Sequence, residues 1–375
     1  MLTPSRLVVR ISEQTFMGLN RMGALERNLL DGRKCQILTF LCVLSLALLN
    51  VWLKGFIIDS NHRAELIILM WHRPYNVPNE LSVGSSYDCT PLCKIVEQRS
   101  WFPSANVVVF HNNELVRGSQ KLPLDLPRPP GQRWAWISME SPVHNGDLRK
   151  FAGHFNLTIS YRRDADITIP YGEWLAKEAE EENPVQDVAW NKSFLACWVV
   201  SNYRSHYRRS QIFNKLRTII PVKVYGRWTK NTLTPEELLP TISRCYFYLA
   251  FENSEAKDYI TEKLWRNAYQ SGAVPVVLGA PVQDYKDLAP PHSFIHVDEF
   301  ASVKELAQYL LQVAGDQRRY SEYFQWKKNW KVRSTVKWSE RLCRICSSHL
   351  PPNKVYADLA AWNHANGTQR KEIAH

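Results

Sequence analysis

The sequence lacks the patterns that mark several common classes of protein. Its 375 residues contain no internal repeat, so an array of stacked repeats is excluded. Basic residues are not interleaved with aromatic residues as nucleic-acid-binding modules require, so we expect no nucleic-acid partner despite a formal net charge of +11. The cysteine pairs at 89–93 and 343–346 have no partnering histidines, which argues against a zinc site.

One long uncharged apolar run, residues 36–53, lies near the N-terminus. Its length of about 18 residues just spans a thin bilayer as a helix. A cleaved signal peptide and a buried core helix are the alternatives, but no small-residue cleavage pattern follows the run. Six basic and three acidic residues precede it, so the positive-inside rule places the N-terminus in the cytosol. We therefore expect a type II membrane protein with a cytosolic tail at 1–35 and a signal anchor at 36–58.

The remaining cysteines and the glycosylation sequons fit a lumenal location. Outside the apolar run and its edge, an even six cysteines remain: Cys89, Cys93, Cys197, Cys245, Cys343 and Cys346. An even number is typical of disulfide bonding in an oxidising compartment. The sequons at Asn156, Asn191 and Asn366 would be glycosylated in the same compartment.

The residues after position 60 suffice for two domains, and their pattern predicts an α/β fold. Strand-like runs occupy 65–71, 105–110, 133–139, 194–202, 222–226, 245–251 and 274–279, with two short extended pieces in 156–172. Helical patterns occupy 208–219, about 261–271 and 303–315. Apolar strands that alternate with helices indicate parallel sheets covered on both faces, which bind ligands at the carboxyl ends of their strands. The acidic stretch 173–193 reads as an exposed linker or solvated helix.

The stretch FENSEAKDYITEKLWRNAYQSGAVPVVLG, residues 251–279, places a polar loop between two apolar strands. Thr261 is a plausible N-cap, which would put Glu262 and Lys263 in the first helical turn. Free backbone N–H groups and the ammonium group there would suit a diphosphate, and the carboxylate could accept hydrogen bonds from a ribose. An ordinary well-capped surface helix is the alternative.

This stretch resembles the signature of the α-1,3-fucosyltransferases, glycosyltransferase family 10. Other segments of the chain also resemble family segments and occur in the family's order: RWAWISMESPVH, NLTISYRRDADITIPYG, WVVSN, SFIHVDEF and CRIC. The resemblance covers about residues 65–365. It implies an inverting enzyme of the GT-B type, in which two Rossmann-like domains face a cleft and GDP-β-L-fucose is the sugar donor. We expect no essential cofactor, although a divalent metal could stimulate.

The resemblance also implies roles for individual residues. The positions that match the family's contacts with the sugar donor are Ser201, Asn202, Arg209, Asn253, Tyr259, Glu262 and Lys263. In this interpretation Glu262 holds the ribose, while Lys263 and Arg209 neutralise the leaving diphosphate. Arg208 is adjacent to Arg209 and competes for that role. Glu140 matches the family's general base, although without the resemblance it reads as a surface glutamate in a turn. His111 matches a segment on the acceptor side.

Two further features are interpreted through the family. Asp164 and Asp166 form a DxD pattern, which holds a metal in glycosyltransferases of the GT-A type, but the flanking residues resemble the metal-independent family. We assign both aspartates to structure or to the cleft wall. For the cysteines, the expected bridges join Cys197 to Cys245, and Cys89 and Cys93 to Cys343 and Cys346. Pairing within each short loop is the alternative.

The domain plan and the function follow from the same resemblance. The expected units are an acceptor-side domain at 61–175, a linker at 176–193, a sugar-donor domain at 194–340 and a C-terminal segment at 341–375 that packs back on the first domain. Several runs are most similar to the leukocyte-type members that make sialyl-Lewis x. The expected acceptor is thus sialylated N-acetyllactosamine on glycoproteins and glycolipids, and the expected location is the Golgi membrane.

Three alternatives to that function stay open. The acceptor could be neutral lactosamine or an N-glycan core. The protein could instead be a membrane-anchored glycan-binding protein without catalysis, although Glu140, Glu262 and Lys263 together argue against it. A GT-A enzyme using Asp164 and Asp166 is the third. A homodimer is compatible with any of them.

Overall fold

The computed structural model describes residues 44–46, 48–49, 66–74, 87–90, 93–178, 192–334, 338–347 and 350–365. Of the predicted signal anchor, only 44–46 and 48–49 are described, and they are helical. The rest of the anchor, the cytosolic tail, Cys35, Cys42, Asn191 and Asn366 lie outside the described residues. Within the described part of the chain, no helix is long and apolar enough to cross a membrane.

All strands lie in the compact unit Glu65–His375. In chain order they are β1 (Leu66–Met70), β2 (Tyr87–Thr90), β3 (Cys93–Val96), β4 (Val107–His111), β5 (Arg133–Ser138), β6 (Leu157–Ser160), β7 (Ile167–Thr168), β8 (Gly172–Ala176), β9 (Phe194–Val199), β10 (Val222–Tyr225), β11 (Cys245–Phe251), β12 (Val274–Leu278), β13 (Ile295–His296) and β14 (Trp330–Ser334). The helices of this unit are α1 (Asn112–Val116), α2 (Arg208–Leu216), α3 (Pro235–Ser243), α4 (Val282–Leu288), α5 (Val303–Ala314), α6 (Gln317–Glu322), α7 (Trp338–Ser347), α8 (Leu359–His364) and a π-helix (Lys263–Ala268).

The first sheet has seven strands in the order β2-β3-β1-β4-β5-β6-β7. All neighbouring strands are parallel except β2 and β3. The central strand β4 is buried on both faces of this sheet. Val107 and Val109 pack into the core on one face, and Val108 and Phe110 pack into the core on the other. A strand that is buried on both faces carries a continuous apolar run, which is typical of parallel sheets covered by helices.

The second sheet has five parallel strands in the order β10-β9-β11-β12-β13. Its helix α5 begins after Ser302, whose side chain accepts a hydrogen bond from the N–H of Glu305. Leu306, Leu310 and Val313 follow at intervals of four and three residues, so they form one apolar stripe that packs into the core of this sheet. The two parallel sheets confirm the predicted α/β class.

The C-terminal helices return to the first sheet. Helix α7 places Leu342 and Ile345 in the core on one face of that sheet, and α8 places Leu359 in the core on the other. Two disulfide bonds, Cys89–Cys343 and Cys93–Cys346, attach α7 to β2 and β3. A third, Cys197–Cys245, joins β9 to β11. These bonds agree with the pairing that the resemblance implied and exclude pairing within each short loop.

Two local expectations were wrong. Residues 173–176 belong to strand β8, which pairs antiparallel with β14, and Trp174 packs against Trp330 with ring centroids 4.3 Å apart. Residues 179–191 lie outside the described residues, so the linker predicted there stays a prediction. The helix expected at 261–271 is the shorter π-helix, and Thr261 does not cap it. Its backbone N–H and its hydroxyl are both bonded to the carboxylate of Glu252, at 2.8 and 2.9 Å.

Candidate active site

The carboxyl ends of β5 and β11 meet at one edge of the two parallel sheets. The hydroxyl of Ser141, in the loop after β5, donates to the hydroxyl of Ser254, in the loop after β11, at 2.9 Å. The imidazole Nδ1 of His144 lies 2.9 Å from the first oxygen and 3.2 Å from the second. The structure therefore brings together the loops that carry Glu140 and Asn253, as expected for ligand sites of parallel sheets.

Glu140 has a fixed backbone and an exposed side chain. Its N–H donates to the hydroxyl of Ser138 at 3.1 Å, and that hydroxyl donates to Asn145 at 2.6 Å. The hydroxyl of Tyr171 donates to the carbonyl of Met139, the preceding residue. These buried contacts hold the turn while the carboxylate of Glu140 faces solvent. A carboxylate presented in this way can take a proton from a bound hydroxyl.

Glu252 is the main feature of the site that sequence reasoning missed. It is only 3% exposed, and its Oε2 accepts a hydrogen bond from the ammonium group of Lys263 at 2.7 Å. Its Oε1 accepts from both the N–H and the hydroxyl of Thr261. One signal in the sequence could have indicated its role: Glu252 directly follows a wholly apolar strand. A carboxylate at that position is expected to be buried and therefore to need hydrogen-bond or charged partners.

These contacts change the role expected for Lys263. Its ammonium group lies 2.7 Å from Glu252 and 3.6 Å from Glu262, so one cation stands between two carboxylates. Burial lowers the pKa of Lys263, but the two carboxylates outweigh burial and raise it overall, so the amine stays protonated. Burial raises the pKa of Glu252. Burial also acts to raise the pKa of Glu262, but the charges of Lys263 and Arg266 and local hydrogen bonds together outweigh it and lower that pKa. The positive charge of Lys263 is therefore already paired with two carboxylates and is not free to neutralise a phosphate by itself.

The structure distinguishes the two adjacent arginines at the start of α2. Arg208 forms ion pairs with Glu255, at 3.3 Å, and with Asp298. Arg209 is 6% exposed and donates from Nη2 to the carbonyl of Asn202, and its Nε has no hydrogen-bond partner among the described residues. Burial lowers its pKa, although arginine stays charged. A buried guanidinium with an unsatisfied N–H is suited to an oxyanion ligand.

The other predicted contacts with the sugar donor lie in loops at the same sheet edge. Ser201 and Asn202 are exposed just beyond β9, and Asn253 is half-buried after β11. Tyr259 is buried, and its ring centroid lies 5.0 Å from that of Tyr161 and 6.4 Å from that of Tyr171. The structure thus gives Tyr259 a packing role against residues that follow the first sheet.

His111 and the DxD aspartates have internal partners. The Nδ1 of His111 is hydrogen-bonded to Glu114, and its ring makes an edge contact with Trp338 at 5.4 Å. Asp164 pairs with Arg162 at 2.7 Å. Asp166 accepts hydrogen bonds from the N–H of Thr158 and the hydroxyl of Tyr356 and pairs with Lys354. Both aspartates therefore have the structural role assigned to them. In the part of the chain that the structure describes, no group of three acidic, histidine or cysteine side chains could hold a metal.

The sequon at Asn156 disagrees with the structure. Asn156 is 4% exposed, its Nδ2 donates to the carbonyl of Lys354 at 2.8 Å, and its Oδ1 accepts from the N–H of Trp134 at 3.0 Å. A glycan must project into solvent, so Asn156 is not available for attachment in this conformation.

Two largely parallel sheets carry charged side chains in loops at their shared edge, an arrangement compatible with a ligand site. Comparison with known proteins identifies the class of enzyme. Residues 189–362 match the C-terminal model of glycosyltransferase family 10 (fucosyltransferase), and residues 63–172 match the fucosyltransferase N-terminal model. The chain belongs to the α-1,3-fucosyltransferase family, glycosyltransferase family 10, and is a glycosyltransferase.

Individual relatives cover most of the chain. It is 44% identical over 303 residues to alpha-(1,3)-fucosyltransferase 7 of Rattus norvegicus, covering 79% of each chain. It is 43% identical over 300 residues to 4-galactosyl-N-acetylglucosaminide 3-alpha-L-fucosyltransferase FUT6 of Homo sapiens, covering 79% of this chain and 82% of that one. A crystal structure of an alpha1,3-fucosyltransferase with GDP-fucose shares the fold, with a TM-score of 0.50 and 17% identity over 80% of this chain and 94% of that one.

Proposed function

We propose that this protein transfers L-fucose from GDP-β-L-fucose, with inversion, to O3 of N-acetylglucosamine in sialylated N-acetyllactosamine, making sialyl-Lewis x type structures. The observation that carries the proposal is the contact between the loop of Glu140 and the loop of Asn253. It places an exposed carboxylate beside the segment that leads to Glu252, Lys263 and Glu262. The names of the relatives support the α-1,3 linkage.

In the proposed reaction, Glu140 takes the proton from the acceptor hydroxyl as its oxygen attacks the anomeric carbon. The bond from that carbon to the diphosphate breaks, and GDP leaves from the opposite face, so one displacement inverts the configuration. Negative charge grows on the leaving diphosphate. Arg209 can donate its unpartnered Nε–H to that group, and Lys263 lies further along the same edge with its charge shared between two carboxylates.

The preference for a sialylated acceptor is supported by charge and by similarity. Without the tail at 1–35, whose six basic and three acidic residues contribute +3 of the formal +11, the chain keeps a formal net charge of +8, which is compatible with an anionic acceptor. The relatives include alpha-(1,3)-fucosyltransferase 7 from several mammals. The Golgi membrane, a lumenal catalytic part and independence from metal belong to the same proposal. The competing acceptors are neutral lactosamine and the N-glycan core.

The test is a transfer assay with GDP-fucose and a panel of lactosamines with and without terminal sialic acid. Glu140→Gln should lose nearly all turnover but keep its affinity for GDP, because the amide cannot accept the proton. Glu322→Gln, an exposed glutamate in α6, is the matched control and should behave as wild type. Full turnover of Glu140→Gln would remove the base assignment, and binding of lactosamine without transfer by the wild type would support a glycan-binding protein. Activity that is lost in excess EDTA would contradict metal independence.

A further inference from the structure

The turn after β6 carries an arginine that the proposed reaction does not use. The guanidinium of Arg163 donates from Nε to Oδ1 of Asp258 at 2.7 Å, and its backbone N–H donates to Oδ2 of the same carboxylate at 3.0 Å. Its Nη2 donates to Asp284 at 3.1 Å and its Nη1 to Asp287 at 2.9 Å. One residue that follows the first sheet thus binds three carboxylates that follow strands of the second sheet.

Asp258 is the centre of this network. Its side chain is completely buried, and its N–H donates to the second oxygen of Asp284 at 2.7 Å. Its backbone has a φ of +60°, a left-handed conformation that aspartate adopts only when local contacts support it. The contacts from Arg163 and Asp284 supply that support. The loop conformation at Asp258 therefore depends on residues distant in the sequence.

The residue after Asp258 is Tyr259, which the family resemblance assigns to the sugar-donor site. Its ring packs 5.0 Å from that of Tyr161, two residues before Arg163. A single turn after β6 thus holds two consecutive residues of the loop, the first by an ion pair and a backbone hydrogen bond and the second by ring packing. Loss of either contact would let this part of the loop move relative to Arg209 and Lys263.

The geometry points to Arg163 as a positioning residue for the sugar-donor loop: through Asp258 it fixes the backbone of the loop that continues into Tyr259, Glu262 and Lys263. This inference rests on the proposed function, because it assumes that this loop binds the nucleotide sugar. Arg163 touches neither substrate nor reacting atoms in this account. Its planar fork matters more than its charge, because the network uses separate N–H groups for separate carboxylates.

The test compares Arg163→Ala, Arg163→Lys and Asp258→Asn in the full chain. We expect Arg163→Ala to raise the KM for GDP-fucose and the Kd for GDP at least tenfold, with a smaller change in kcat. Arg163→Lys should recover only part of this loss. The double variant with Asp258→Asn should be no worse than the poorer single variant, because both remove one coupled contact. Arg149→Ala, which breaks an exposed Arg–Asp pair at 2.7 Å, is the matched control and should change neither constant.

The outcomes separate this inference from the proposed function. Unchanged KM and Kd in Arg163→Ala, even with a lower melting temperature, would show that the network is merely structural and would overturn the inference. If Arg163→Ala does not fold, the lysine variant decides through the same two constants. A wild-type enzyme that binds GDP but fucosylates no sialylated lactosamine would overturn the proposed acceptor, and the comparison of GDP affinities would still test Arg163.

Discussion

Gly279 offers a sharp test of how the Glu252 site is built. It follows β12 with a φ of +150°, and a Cβ added there would lie 2.6 Å from Cβ and 2.8 Å from Cγ of Glu252. The carbonyl of Ser254 would be 3.3 Å away. Cβ atoms in proteins essentially never lie within 3.0 Å of such atoms. The contacted Cβ and Cγ of Glu252 lie next to its backbone, so they cannot move away by a simple rotation of the side-chain end. Gly279→Ala must therefore displace Glu252.

The cost has two parts. A non-glycine residue in a rare positive-φ conformation costs about 1–3 kcal/mol. Displacing Glu252 would also disturb its contacts with Lys263 and Thr261, and breaking a buried ion pair costs about 3–5 kcal/mol. We expect Gly279→Ala to lower the free energy of unfolding by about 4 kcal/mol or more. Gly272→Ala is the matched control, because its φ is +71° but its Cβ would meet no atom within 4 Å. It should cost only about 1–2 kcal/mol.

Urea unfolding followed by circular dichroism measures both variants, and calorimetry measures their affinity for GDP. The expected difference in unfolding free energy between the two variants is at least about 2 kcal/mol. Gly279→Ala should also bind GDP more weakly, since displacing Glu252 removes the contacts that position Lys263 and Thr261, whereas Gly272→Ala should not. Equal losses of stability in the two variants would refute the steric argument, because the close approach to Glu252 is what separates them.

Three further predictions follow from buried or paired groups. Burial lowers the pKa of His296, so the folded protein should lose stability as the pH falls below the unfolded pKa of about 6.5. His296→Asn should therefore flatten the dependence of the unfolding free energy on pH between 7 and 5. An unchanged slope would show that His296 is not the source of this pH dependence. Arg209→Lys should weaken GDP binding about tenfold by calorimetry, because lysine lacks the fork, while Arg208→Lys should have a smaller effect; the reverse order would reassign the phosphate contact. Replacing Cys197 and Cys245 by serine should lower the unfolding free energy by about 2–5 kcal/mol, and an unshifted urea midpoint would contradict this.

Most strands of both sheets were predictable because their residues carry a local signal, whereas the short strands β2, β3 and β13 were not predicted. Strand β11 was placed at its observed bounds, since CYFYLAF is apolar throughout and ends at a charged residue. The π-helix was not predictable, because a threonine before a helical pattern normally caps it. Here Thr261 bonds instead to Glu252, nine residues earlier, and no local pattern reveals that competition.

The proximity of the candidate site residues was more predictable than their electrostatics. The carboxyl ends of β5 and β11 were expected at a sheet edge, and Glu140 and Asn253 do lie in contacting loops. The choice between Arg208 and Arg209 depended on Glu255 and a distant carboxylate, Asp298, which the sequence does not place beside α2. The pairing of Lys263 with Glu252 required the folded loop as well.

The contacts at the shared edge imply that Glu140, the proposed general base, and the loop proposed to bind the sugar donor are positioned together. Tyr171 bonds to the carbonyl before Glu140, and its ring also packs against Tyr259 in the sugar-donor loop. The Ser141–Ser254 hydrogen bond connects the same two loops. Because Tyr171 contacts both loops, a substitution there should alter affinity for the nucleotide and the rate of transfer at once. Loss of the Glu140 carboxylate, which makes none of these contacts, should alter the rate alone.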